Sequence, residues 1–166
     1  MGGSVEALRT GMRNASLRRV LVAYFLFSAQ EYAVWIVVTI YAYERGGASE
    51  AGAVLVALLI PAALVAPVAA TFGDRIRRDR ALRGGYLIQM CACAGLAVAM
   101  WSGPALLAYA VAIVANCTVT LTRPVHNAIL PQLAETPEQL TAANASSSMV
   151  EGLGVLVGPG FVALTL

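Results

Sequence analysis

The 166-residue chain is 59% hydrophobic and 12% charged, against roughly 45–50% and 25% for soluble domains, which excludes an ordinary water-soluble fold. A formal net charge of +2 leaves no electrostatic footprint for nucleic acid. The composition predicts an all-α integral membrane protein, and the apolar runs divide into about five transmembrane helices.

The N-terminal segment, 1–19, is polar and basic, with Arg9, Arg13, Arg18 and Arg19. It resembles the start of a signal peptide, but the apolar run 20–43 that follows is longer than a signal core of about 7–15 residues and lacks a small-residue cleavage site. The run is read as a retained first helix, since about 20 residues cross the hydrocarbon. Glu44-Arg-Gly-Gly-Ala-Ser-Glu50 is a short turn. The second helix, 51–72, contains Pro61 and Pro67, which bend it, and a small-residue face at Ala62, Ala66 and Ala70 that suits close helix approach.

Thr71-Phe-Gly-Asp-Arg-Ile-Arg-Arg-Asp-Arg-Ala-Leu-Arg83 packs Arg75, Arg77, Arg78, Arg80 and Arg83 between two apolar runs. So dense a cluster resists translocation, so it is predicted to be a cytoplasmic loop. A third helix, 84–101, a turn at Ser102-Gly-Pro104 and a fourth helix, 105–122, follow. Arg123-Pro124 is predicted to end the fourth helix. The connection 125–148 contains Thr136-Pro-Glu-Gln139, a capping threonine with proline first and glutamine three residues on, predicting the start of a short surface helix. A fifth helix, 145–166, ends the chain. Of the eleven arginines, Arg45 alone falls on an outer segment, so the positive-inside rule places the N-terminus in the cytoplasm. The odd helix count and the apolar end at Leu166 are expected of a truncated chain.

Few residues can carry chemistry. Glu31 lies mid-membrane in the first helix, where an acidic side chain costs about 2.5–3.5 kcal/mol on insertion scales and therefore faces a partner or a wet cavity. Tyr24, Ser28, Trp35 and Thr39 share its face at near three-and-four spacing. Glu31 is then either a proton-coupling or cation-binding group, or a structural hydrogen bond to a neighbouring helix. Asn116, Thr120 and Arg123 form a polar stripe that either lines a cavity or clamps an inner carboxylate such as Asp74 or Glu151; an Arg123 that merely snorkels to headgroups is the other reading. Glu151 is shallow and partly hydrated. Gly154, Gly158 and Pro159 form a close-packing, bendable element.

His126, the single histidine, is placed in the inner loop with no metal partner nearby. Cys91 and Cys93, two apart on one helix, point to nearly opposite sides and make neither a redox pair nor half a zinc site. No nucleophile motif, phosphate-cradling loop or paired acid and base is present, so neither an enzyme nor a cofactor is expected.

Across nearly its whole length the chain resembles the N-terminal half of a major facilitator superfamily transporter. The arginine stretch is similar to that superfamily's G-x-x-x-D-R-x-G-R-[RK] signature: Asp74, Arg75 and Arg78 match, while Ala70, Arg77 and Asp79 stand at its glycine and next basic positions. Gly154-x-x-x-Gly158-Pro159 resembles the start of the exporter signature G-x-x-x-G-P-x-x-G-G, with Val162-Ala163 in place of the closing glycines. Ser28-Ala-Gln-Glu31 is similar to a Ser-x-Gly-Asp element of bacterial exporters. The resemblance implies two six-helix bundles rocking about a midplane site. It implies a proton-linked cavity role for Glu31, and a latch of Asp74 and the loop arginines Arg75 and Arg78, to which Arg123 can add a clamp.

The leading expectation is a multi-pass inner-membrane secondary transporter, exporting a small molecule against protons, in a lipid bilayer and with a second six-helix bundle from the same chain, a dimer or a separate half. The alternatives are a small non-transporting membrane protein acting as a packing or regulatory partner, and a membrane region fused to a soluble domain.

Overall fold

The computed structural model describes residues 14–73 and 77–165, the backbone alone over 68–73. Asn14 starts the first helix: its Oδ1 accepts the N–H of Ser16 at 3.0 Å and that of Leu17 at 3.4 Å, satisfying donors that have no partner within the helix. Helix α1 then runs Ala15–Gly73. It begins at Ala15 and not at Val20, because the asparagine cap recruits the basic residues Arg18 and Arg19 into its first turns.

Helix α1 is two arms joined at Gly46-Gly47, where Gly47 takes φ 67°, ψ −158°, a region that only glycine enters without strain. The Ser49 hydroxyl donates to the Gly46 carbonyl at 3.1 Å and closes the bend. At about 1.5 Å per residue the arms are about 45 and 40 Å long, and each exceeds the ~30 Å hydrocarbon core. Helix α2 is Arg78–Ser102, α3 is Ala105–Leu133 and α4 is Pro137–Thr165. Among the described residues, four helices are long and apolar enough to cross a membrane, and the kinked α1 has the length for two crossings.

Three further boundaries differ from the sequence expectation. Helix α2 starts at Arg78, well before Gly84, so Arg78, Arg80 and Arg83 are helical. Arginine and leucine are good helix formers, and Asp79 in the first turn complements the helix dipole. Helix α3 continues through Arg123-Pro124 to Leu133. Helix α4 merges the expected surface helix and the fifth crossing into one 29-residue helix, because nothing between Thr141 and Ser148 breaks it. Its start follows the capping pattern: Gln139 N–H donates to Thr136 Oγ1 at 3.2 Å, and Gln139 Oε1 accepts the Glu135 N–H at 3.0 Å.

The chain forms two compact units, one of Met1–Ala33 with His126–Leu166 and one of Val34–Val125. The second unit has a core of Val38, Ala42, Ala51, Val54, Leu58, Leu96, Ala99, Ala108 and Ala112. Its alanines bring backbones close, the packing mode that works where lipid supplies no hydrophobic drive between helices. Ala62 is buried there but Ala66 is exposed, so the expected small-residue face is not continuous. The first unit packs Leu17, Leu130 and Ala143, flanked by Val20, Leu133 and Leu140. Asn14 Nδ2 also donates to the Leu133 carbonyl at 3.2 Å, tying the start of α1 to the end of α3. Outward positions carry large apolar side chains such as Leu64, Trp101, Leu106 and Leu156, a surface suited to lipid tails.

Candidate functional site

In the first unit, Ser28 is fully buried and Glu31 is 8% exposed. Ser28 is buried against the glycine face of α4. A Cβ at Gly154 would stand 2.7 Å from Ser28 Cβ and 2.9 Å from the Ala29 N; one at Gly158 would overlap the Ala29 carbonyl and stand 3.0 Å from the Ala33 N. Most of these neighbours are backbone atoms, which cannot rotate away. Gly154 and Gly158 therefore fix how closely α4 approaches Ser28, and Pro159 follows on the same helix. Gly152 and Gly160, on the other side, meet nothing within 4 Å.

One turn before Ser28, the Tyr24 ring stacks on His126 with centroids 3.6 Å apart and planes 8° from parallel. Tyr24 donates its hydroxyl to Glu151 Oε2 at 3.2 Å. On the far edge of the imidazole, His126 Nε2 lies 2.9 Å from Ser147 Oγ. His126 is thus not a loop residue but a fully buried member of α3, bridging α1 and α4. A signal for it was present: Thr122, His126, Ile129 and Leu130 are buried at three-and-four spacing straight across Pro124, which is the helical period. Reading the proline as a terminator hid it.

The other expected cavity residues belong to the second unit. Asn116 Nδ2 donates to the Leu58 carbonyl at 2.8 Å, on the turn that Pro61 opens by lacking an N–H. The carbonyl that Pro61 leaves without its helical donor is that of Ala57, one residue earlier, so the Asn116 contact braces the neighbouring position of that turn. Thr120 Oγ1 donates to the Asn116 carbonyl at 3.4 Å, and the Trp35 carbonyl accepts Thr39 Oγ1 at 2.7 Å. The hydroxyl of Thr120 is therefore spent on its own helix. Arg78 and Arg123 are half-buried, while Asp74 and Arg75 lie outside the described residues. Asp79 pairs with the exposed Arg77 at 3.3 Å, a surface ion pair of little energetic weight.

Sequence reading also missed a cluster at the Gly46-Gly47 turn. Tyr109 donates its hydroxyl to Glu50 Oε1 at 2.5 Å, Tyr41 meets Tyr109 edge-on at 6.0 Å, and the Arg45 guanidinium lies over the Tyr41 ring at 5.5 Å. This cluster ties the segment after the glycine kink to the first turns of α3. Among the described residues, no group of three or more His, Cys, Asp or Glu side chains is placed to hold a metal, and Cys91, Cys93 and Cys117 are free thiols.

Residues 20–166 match the family model of the Major Facilitator Superfamily. No curated protein and no solved structure gives a significant match.

Proposed function

The chain belongs to the Major Facilitator Superfamily, and from that membership we propose a secondary active transporter that couples export of a small molecule to protons by alternating access. The observation that carries the coupling reading is Glu31, an acidic residue only 8% exposed within a membrane-length arm of α1. An ionisable residue at such a position marks an ion or proton pathway more often than it marks packing. Ser28, one turn earlier, and Trp35, one turn later, extend the polar face of that arm. Alternating access needs an opposing bundle, supplied by the same chain, by a second copy or by a separate half. Asp74, Arg75, Arg78 and Arg123 form the inner-side latch in this reading, and Asn116 and Thr120 stabilise the helices that frame the path.

Proteoliposomes containing the full-length protein test the reading directly. An imposed proton gradient is expected to accelerate movement of fluorescent cationic and neutral dye probes; flux indifferent to the gradient would remove the coupling role. In the same vesicles Asp74→Asn is expected to change the maximal rate while the half-saturating dye concentration stays put. A pure loss of affinity would count against the latch.

We also infer a plasma-membrane location with the N-terminus in the cytoplasm, from the arginine distribution. In a cysteine-free background, a membrane-impermeant maleimide applied to intact cells is expected to label Ala48→Cys and to spare Asp79→Cys until the cells are opened. The reverse pattern would invert the topology.

A further inference from the structure

Helix α2 turns one apolar stripe outward. Leu87, Met90, Ala94, Val98 and Trp101 are exposed and recur at three-and-four spacing, which is one face of a helix. Leu82, Gln89, Leu96 and Ala99 are buried on the opposite side. Continued towards the start of the helix, the outward face carries Arg83 and Arg80, both exposed. Trp101, 94% exposed, closes the other end. At about 1.5 Å per residue, Arg83 and Trp101 stand about 27 Å apart along the axis, close to the ~30 Å of a hydrocarbon core. Cations at one interface, an indole at the other and apolar side chains between them suit lipid along the whole face.

The two arginines are also uncommitted within the protein. Asp79, the single carboxylate of α2, pairs with Arg77 at 3.3 Å, and Arg78 is half-buried on the inward side. Arg80 and Arg83 make no ion pair or side-chain hydrogen bond among the described residues. Residues three apart on a helix have Cβ atoms about 5–6 Å apart, so the two like charges repel across the turn. A phosphate between them relieves that repulsion, and its oxygens match the forked donors of guanidinium. We propose that Arg80 and Arg83 bind the phosphate of one anionic phospholipid, with an acyl chain lying on Leu87, Met90 and Ala94. The net charge selects the headgroup: a zwitterionic lipid brings its own ammonium group up to two guanidiniums, and an anionic lipid does not. The site requires only that α2 cross the membrane, and it does not rest on the transport reading.

Tryptophan quenching by brominated lipid tests this contact directly. In the full-length protein freed of its own tryptophans, Trp35 and Trp101 among them, Leu87→Trp places one fluorophore a turn from Arg83. The protein is reconstituted in phosphatidylcholine bilayers containing increasing fractions of brominated phosphatidylglycerol or brominated phosphatidylcholine. Phosphatidylglycerol is expected to show a severalfold higher relative binding constant at this position, falling to near unity when Arg80→Gln and Arg83→Gln are added. A parallel protein that keeps Trp101 as its only fluorophore should show no preference at the other interface. Equal quenching by both lipids beside intact arginines overturns the proposal. So does a preference that survives the glutamine pair, or one equally strong at Trp101. A fluorophore at position 87 that neither lipid quenches overturns it too, because a protein surface then covers this face.

Discussion

Replacing Glu31 with glutamine is expected to reduce gradient-driven dye flux to the level of protein-free vesicles while leaving the protein inserted and folded. Glutamine has nearly the shape of glutamate and keeps an acceptor oxygen and adds two donors, so a merely structural hydrogen bond would survive it. What glutamine cannot do is bind and release a proton. Removing the acid also removes the insertion cost of about 2.5–3.5 kcal/mol for an acidic residue at a helix centre, so Glu31→Gln should be at least as stable as the parent, and a melting curve in detergent checks this. Dye exchange at equal concentrations on both sides, which needs no gradient, should persist. Gradient-dependent flux that survives in Glu31→Gln at parental rates would leave Glu31 as a packing residue.

The fold was legible where its cause is local and strong. The apolar runs, the glycine turn at Gly46-Gly47 and the Thr136–Gln139 cap could all be read from short stretches, because chain length against bilayer thickness and capping chemistry act within a few residues. Helix ends next to prolines and charges were not. Pro124 suggested a stop, yet α3 runs on to Leu133, since a proline removes one N–H and a neighbouring helix can compensate locally. Arg78, Arg80 and Arg83 suggested a loop because they cannot lie in hydrocarbon, but a helix can extend beyond the hydrocarbon without unwinding. The first of these errors hid the His126 junction, which exists only if α3 continues past Pro124. Glu31 and Ser28 were visible as buried polar residues on an apolar helix. That Tyr24 reaches Glu151, or Asn116 reaches Leu58, depends on contacts between distant segments that no local pattern encodes.

The glycine face carries the largest expected effect on stability. Gly158→Leu is expected to destabilise the first unit by about 1–3 kcal/mol, the usual cost of overpacking, and to lower the melting midpoint by about 5 °C or more. The reason lies in what a side chain would strike. At Gly158 the first atom of any side chain already overlaps the Ala29 carbonyl, and the next neighbours, Ala33 N at 3.0 Å and Ala29 C at 3.1 Å, are also backbone. Relief therefore requires α4 to move away from α1 as a body, which also breaks the Tyr24–Glu151 hydrogen bond and loosens the cover over Ser28. Gly154→Val should behave alike, because its Cβ would meet Ser28 Cβ at 2.7 Å and Ala29 N at 2.9 Å. Gly160→Ala is the control: nothing lies within 4 Å of its Cβ, and exchanging glycine for alanine inside a helix gains about 0.5–1 kcal/mol from reduced chain entropy. Melting curves of the purified variants in detergent decide the matter. Midpoints lowered at positions 154 and 158 and unchanged or raised at 160 fit a glycine seam between α1 and α4. A Gly158→Leu protein as stable as its parent would mean that the two helices do not meet there.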